Sequence, residues 1–125
     1  QTKIVLRNCG RIDPQRIAQL ATEGEVGRLL GVKFITAAIH GGKTPTVEAS
    51  HYKLYATELS LRIANATMDI VGPGAQLALG TEDAPLRGRP ERCYTYTVID
   101  TIGGGSSEVQ KNIIARRGLG LPKNF

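Results

Sequence analysis

Residues Arg92 to Ile102 read RCYTYTVIDTI, and the fold class turns on how they are read. Tyr94, Tyr96 and Val98 alternate with Thr95 and Thr97, and β-branched and aromatic residues dominate, so intrinsic preference alone favours a strand. No partner strand is visible elsewhere in the chain, which speaks against that reading. The segments on either side therefore decide the matter.

Upstream, the signals are helical. Asp13-Pro14 is a strong helix start, because Asp can cap orphan amides and Pro at the first helical position has its φ already set. Ile17, Leu20, Ala21, Leu29, Leu30, Phe34 and Ala37 recur at roughly helical spacing, and Gly41-Gly42 ends the run. A first helix is predicted from Pro14 to His40, with Gly24, Gly27 and Gly31 as weak points or close-approach sites. Thr44-Pro45 repeats the start device. Beyond it, Val47, Leu54, Leu61 and Met68 fall at sevenfold spacing, broadened by Ala64 and Ile70, giving a second long helix that Gly72-Pro73 ends. The short GGKTP connection makes the two antiparallel. From Gly72 to Pro90, four glycines and three prolines predict an irregular excursion.

Downstream of RCYTYTVIDTI lies GGGSSEVQKNIIARRGLGLP. Val109, Ile113 and Ile114 give a short amphipathic helix from Ser107 that stops at Gly118, with Arg116 and Arg117 suiting its C-terminal dipole. Glycines before a helix start let backbone amides converge on an anion or a carbonyl oxygen. The Walker pattern is excluded because no Gly-Lys-Ser/Thr follows, and the dinucleotide fingerprint fails because Glu108 stands where its third glycine belongs. A generic anion nest and a plain turn capped by Ser106 or Ser107 both remain open.

Composition narrows the classes further. A chain of 125 residues with 41% apolar content is the size of one domain with a modest core. Its net charge of +5 is spread over scattered cations, and with two Phe, no Trp and four Tyr it has little to stack bases on, so nucleic acid is not expected as a partner. Cys9 and Cys93 fit reduced intracellular thiols, and with His40 and His51 they build no metal-ligand spacing. No apolar run of membrane-spanning length and no signal-like beginning is present, so a cytoplasmic location is expected. The chain opens on QTKIVLRNCG without an initiator Met, which suggests a piece of something longer. Glu58 and Asp100 are read as solvated or paired carboxylates, Glu58 with a neighbour such as Arg62, and His51 as an ordinary helix residue.

GGGSSEVQKNIIARRGLGLP resembles the C-terminal signature of the acyl-CoA dehydrogenase family, in which a glycine-rich turn followed by Thr-Ser-Glu or a close variant opens the last helix. DPQRIAQLATEGEVGRLL, VEASHYKLYATELSLRIANATMDIVG and ERCYTYTVIDTIGGG look like successive helices of that family's all-helical C-terminal domain. The resemblance covers essentially all 125 residues, is most specific in the last twenty-five or so, and implies an all-α helical bundle in which Arg92 to Ile102 is helical. Two long antiparallel helices and two shorter ones are expected, with the family's N-terminal helical and middle β domains absent.

The resemblance also implies a function. The family removes the α-proton of an acyl-CoA thioester with a base, passes the β-hydride to FAD, and yields a trans-2-enoyl-CoA. Ser106 takes the place of the usual Thr; Ser106, Ser107 and Glu108 are expected to touch FAD, and Gly104 and Gly105 to lie beside the thioester. Asp69 to Pro73, DIVGP, matches a second flavin-contacting turn, usually Gln followed by Leu/Phe-Gly-Gly; Asp69 and Gly72 are its cofactor-binding candidates here. Many members carry the catalytic Glu where this chain has Gly104, and others take the base from an earlier helix, so no catalytic residue is assigned and the chain alone is expected to be inactive. Acyl-CoA, an electron-transfer flavoprotein or other acceptor, and a homo- or hetero-tetramer are the implied partners. A non-catalytic partner subunit of a mixed tetramer, and a small basic helical module binding nucleic acid or an anionic partner, are the alternatives.

Overall fold

The computed structural model describes residues 13–42 and 44–122. These residues form four α-helices, α1 (Pro14–His40), α2 (Thr46–Val71), α3 (Arg89–Ile102) and α4 (Ser107–Ile113), with single 3-10 turns at Pro73–Gln76 and Pro85–Gly88. There is no strand among the described residues.

The α1 start is as the local chemistry dictates: Asp13 is extended, and its carboxylate accepts from the Gln15 amide at 3.0 Å, with Pro14 in the first turn. The α2 start differs from expectation. Pro45 occupies the cap position with φ −79° and ψ 67°, and no side chain caps the helix. The Thr46 amide instead donates to Thr44 O at 2.8 Å, an inverse γ-turn. Proline's fixed φ suits that turn as well as it suits a first helical residue, which is why the dipeptide signals a start without specifying the cap.

Helix α2 is the axis of the bundle. Contacts along α1 run in opposite order to α2: Gly31 meets Tyr52, Gly27 meets Tyr55 and Leu59, Arg62 pairs with Glu23 and Asp69 with Arg16. The two helices are therefore antiparallel. Lys53 reaches the end of α3, Glu58 reaches Lys111 of α4, and Val47 lies against Gly118, so α3 and α4 line the remaining length of α2. Packed on several sides, α2 has no single apolar stripe; its most buried residues are Ser50, Leu59, Ala64 and Ala66, mostly small ones that let neighbours approach. On α1, Leu29 and Ile17 of the expected stripe are exposed, and the inward face is built around Gly27 and Gly31. Phe34 stacks on Tyr52 with ring centroids 6.1 Å apart. Gly24 meets nothing and is not a close-approach site.

The strand preference of Arg92 to Ile102 is overturned. Gly88, at φ 73°, and Pro90, in the first turn, launch α3, and the threonines satisfy themselves inside it. Thr97 Oγ1 donates to Tyr94 O at 2.7 Å and Thr101 Oγ1 to Val98 O at 2.9 Å, while Thr95 Oγ1 donates to the Glu91 carboxylate. Thr97 is buried and Tyr96, Val98 and Ile99 point outward, so the alternation does not mark two faces of a sheet. Helix α4 continues through a π-helical turn, Ile114–Gly118, before ending as expected.

Candidate functional site

The glycine turn joins the end of α3 to the start of α4. The Gly103 amide donates to Ile99 O at 2.7 Å and the Gly105 amide to Ile102 O at 3.1 Å, which closes α3. Gly104 and Gly105 then take φ of 70° and 99°, backbone that side chains strain to adopt. Ser106 is extended and stands at the cap position of α4, but its side chain makes no capping bond. The capped-turn reading of Ser106 is thus not what holds the turn.

Two other side chains hold it. Gln110, only 5% exposed, donates from Nε2 to Gly104 O at 2.8 Å. Lys53 of α2 donates from Nζ to Gly105 O at 2.7 Å and to Thr101 O at 3.4 Å. The Gly104 and Gly105 carbonyls are engaged by the protein, while the amides of the first turn of α4 and the hydroxyls of Ser106 and Ser107 are polar groups on offer. Glu108 is exposed, and its carboxyl lies below the usual carboxylate range. The Ser106 hydroxyl is the foremost cause and Glu108's own amide the next; Lys111 adds a smaller effect against a slight burial penalty.

The glycines are not equivalent. A Cβ on Gly105 would come within 2.9 Å of Gln110 Nε2 and 3.3 Å of Val109 Cγ1, whereas one on Gly104 would meet no protein atom within 4 Å. Gly104 faces open space; Gly105 is closed in by its own helix.

Asp69 and Gly72 are not part of this cluster. Lys53 and Asp69 are 16 residues apart on α2, about 24 Å along the axis. Asp69 is exposed and accepts from Arg16 at 2.7 Å; Gly72, at φ 77°, turns the chain out of α2 into Pro73. Among the dismissed carboxylates, Glu58 pairs with Lys111 at 3.8 Å, while Arg62 goes to Glu23 at 3.0 Å; the expected Glu58–Arg62 pairing is corrected. Asp100 borders a shallow groove between α2 and α3, with Cys93, an exposed free thiol. Cys9 lies outside the described residues. No helix among the described residues is long and apolar enough to cross a membrane. Sequence reasoning passed over Lys53 and Gln110. Gln110 falls inside the signature stretch, but Lys53 stands 52 residues from its acceptor and carries no local signal.

Residues 14–119 match the family model "Acyl-CoA dehydrogenase, C-terminal domain". The chain belongs to the acyl-CoA dehydrogenase family. It is 34% identical over 110 residues to the acyl-CoA dehydrogenase FadE26 of Mycobacterium tuberculosis, covering 86% of this chain and 27% of that one. It is 44% identical over 62 residues to the acyl-CoA dehydrogenase IpdE1 of the same organism, covering 49% of this chain and 15% of that one. In structure it resembles the ChsE4–ChsE5 complex of M. tuberculosis, at a TM-score of 0.77 and 33% identity, over 89% of this chain and 28% of the matched one. The Tcur3481–Tcur3483 steroid ACAD is similar at a TM-score of 0.79 and 27% identity, over 90% of this chain and 30% of the matched one. The chain spans less than a third of the length of these relatives.

Proposed function

We propose that this chain is the C-terminal helical domain of an FAD-dependent acyl-CoA dehydrogenase, with the glycine turn as its contribution to the flavin and thioester site. The observation that carries this is the turn itself: two left-handed glycines, with their carbonyls engaged by Lys53 and Gln110, at the start of α4. Ser106 and Ser107 offer hydroxyls, the first turn of α4 offers amides, and Glu108 offers an ionised carboxylate to hydroxyls of the cofactor. These donors and acceptors fit the polar edges of a flavin and its ribityl chain. Gly104, with open space before it, leaves room for a thioester to approach the backbone closely. Asp69 and Gly72 serve a separate contact at the far end of α2.

Bound FAD supplies the acceptor for a hydride from the β-carbon. The chain's own residues bind and orient; the base that takes the α-proton comes from outside this chain, since Gly104 occupies the position where many members carry a glutamate and glycine has no group to accept a proton. The isolated chain is accordingly inactive.

The names of the structural relatives support two finer readings. One relative is described as a steroid ACAD and another as the ChsE4–ChsE5 complex. On that support we read a bulky acyl group and a mixed oligomer for this protein, with an electron-transfer flavoprotein or similar acceptor completing the cycle. Leu29, Val32, Ile35 and Ile39 are each at least half exposed along α1, an apolar face suited to the rest of the enzyme or to a partner.

The test is flavin content in the longer protein, read from visible absorbance against protein concentration. Ser106→Thr keeps the hydroxyl and retains FAD near the wild-type level. Gly104→Ala costs the fold only the left-handed strain, about 1 kcal/mol, but places a methyl where ligand approaches, and acyl-CoA or FAD affinity drops about tenfold or more. Gly105→Val is uninformative here, because Gln110 and a φ of 99° penalise it with or without ligand. A longer protein that carries no flavin and takes none up overturns the reading.

A further inference from the structure

We propose that Lys53 is a positioning residue of the glycine turn: its ammonium, held by the carbonyls of Gly105 and Thr101, sets the Gly105–Ser106 peptide so that the Ser106 amide faces away from α2, toward bound ligand. The proposal rests on the reading of this turn as a flavin and thioester contact.

The geometry has three parts. First, a trans peptide is planar with its C=O and N–H opposed, so fixing Gly105 O on Lys53 Nζ at 2.7 Å fixes the direction of the Ser106 N–H. Second, three consecutive glycines have more backbone freedom than any other run, and a turn that must hold φ of 70° and 99° loses all of it. A short charge-assisted bond is stronger than a neutral one and offsets part of that loss. Third, Thr101 O belongs to the last turn of α3, where carbonyls lack helical partners and the helix dipole favours a cation; Lys53 reaches it at 3.4 Å. A single ammonium thus serves both the end of α3 and the turn that follows. Among the described residues its acceptors are backbone carbonyls, not carboxylates, and its stem is half-buried where α3 and α4 meet α2. Gln110 does the equivalent for the preceding carbonyl from within α4, at 2.8 Å, so successive peptide planes are held from two helices.

The experiment compares Lys53→Met, Lys53→Arg and, as a charge control, Arg28→Met in the longer protein. Among the described residues Arg28 pairs only with Glu25, on the exposed face of α1. Amide hydrogen exchange of residues 101–110 is followed by mass spectrometry, alongside FAD affinity, flavin reduction potential and thermal midpoint. Lys53→Met raises exchange in the turn about tenfold or more and weakens FAD by a similar factor, with α1 exchange unchanged. It also shifts the flavin potential, which a merely structural loss would leave alone. Lys53→Arg restores most of each, and Arg28→Met matches wild type. Unchanged turn exchange and potential in a folded, flavin-binding Lys53→Met protein overturn the positioning role while leaving the flavin reading intact. A wild-type protein without flavin overturns the flavin reading and, with it, the ligand-directed part of this proposal, whereas the exchange comparison still shows whether Lys53 holds the turn.

Discussion

Gly31 of α1 lies directly against the ring of Tyr52 in α2, so close that a Cβ there would sit 3.1 Å from Tyr52 Cε2. One turn earlier, a Cβ on Gly27 would meet Tyr55 and Leu59 at ordinary contact distances of 3.6–3.7 Å, and two turns earlier Gly24 would meet nothing. The three glycines therefore grade from open to crowded along a single helix.

Alanine at these positions separates helix propensity from packing. Gly24→Ala stabilises by up to about 1 kcal/mol, because it reduces the freedom of the unfolded chain without touching a neighbour. Gly27→Ala gains at least as much. Gly31→Ala gains less or turns destabilising, since the Tyr52 ring must give way and loosen its stacking on Phe34. Urea midpoints of the three variants check the order; Gly31→Ala as the most stable of them would contradict the packing described here.

Gly88 is the residue on which the launch of α3 depends. At φ 73°, a Cβ there would fall 2.5 Å from Leu79 N and 2.6 Å from Ala78 C, backbone atoms that cannot rotate aside. Gly88→Ala therefore destabilises by about 2 kcal/mol or more, combining left-handed strain with a backbone clash. Thermal unfolding measures it, and a midpoint equal to wild type would show that the loop can move away freely.

Acid should weaken the contact between α1 and α2 before it unfolds anything. The Glu23 carboxyl lies below its ordinary value, chiefly through the Gln19 side-chain hydrogen bond and then through Arg62, and against a burial penalty. A depressed native pKa contributes stability that is complete above the ordinary carboxylate value of about 4.5 and is lost as pH falls through the lowered native value. Glu23→Gln abolishes this component, so its stability changes less than wild type's between neutral pH and pH of about 3. Carboxyl NMR titration of Glu23 at or above the ordinary value would refute the assignment.

The helix boundaries and the location of the glycine turn were determined by the sequence itself. Asp13-Pro14, Gly41, Gly72-Pro73 and the glycines before Ser107 act within a turn or so of backbone, through caps, missing amides and positive φ, so the residues alone suffice to read them. The family signature around the turn was legible for the same reason, being one short uninterrupted stretch. Tertiary structure alone decided the rest. RCYTYTVIDTI is helical because its threonines bond within the helix and Thr97 packs inward in the bundle, a context that outweighs a strand preference worth a fraction of a kcal/mol per residue. Glu23 selects Arg62, Glu58 selects Lys111, and Lys53 selects a carbonyl 52 residues away, because antiparallel packing along α2 brings those side chains within a few ångströms. No pattern along the chain encodes such distances; they exist only once the helices have docked.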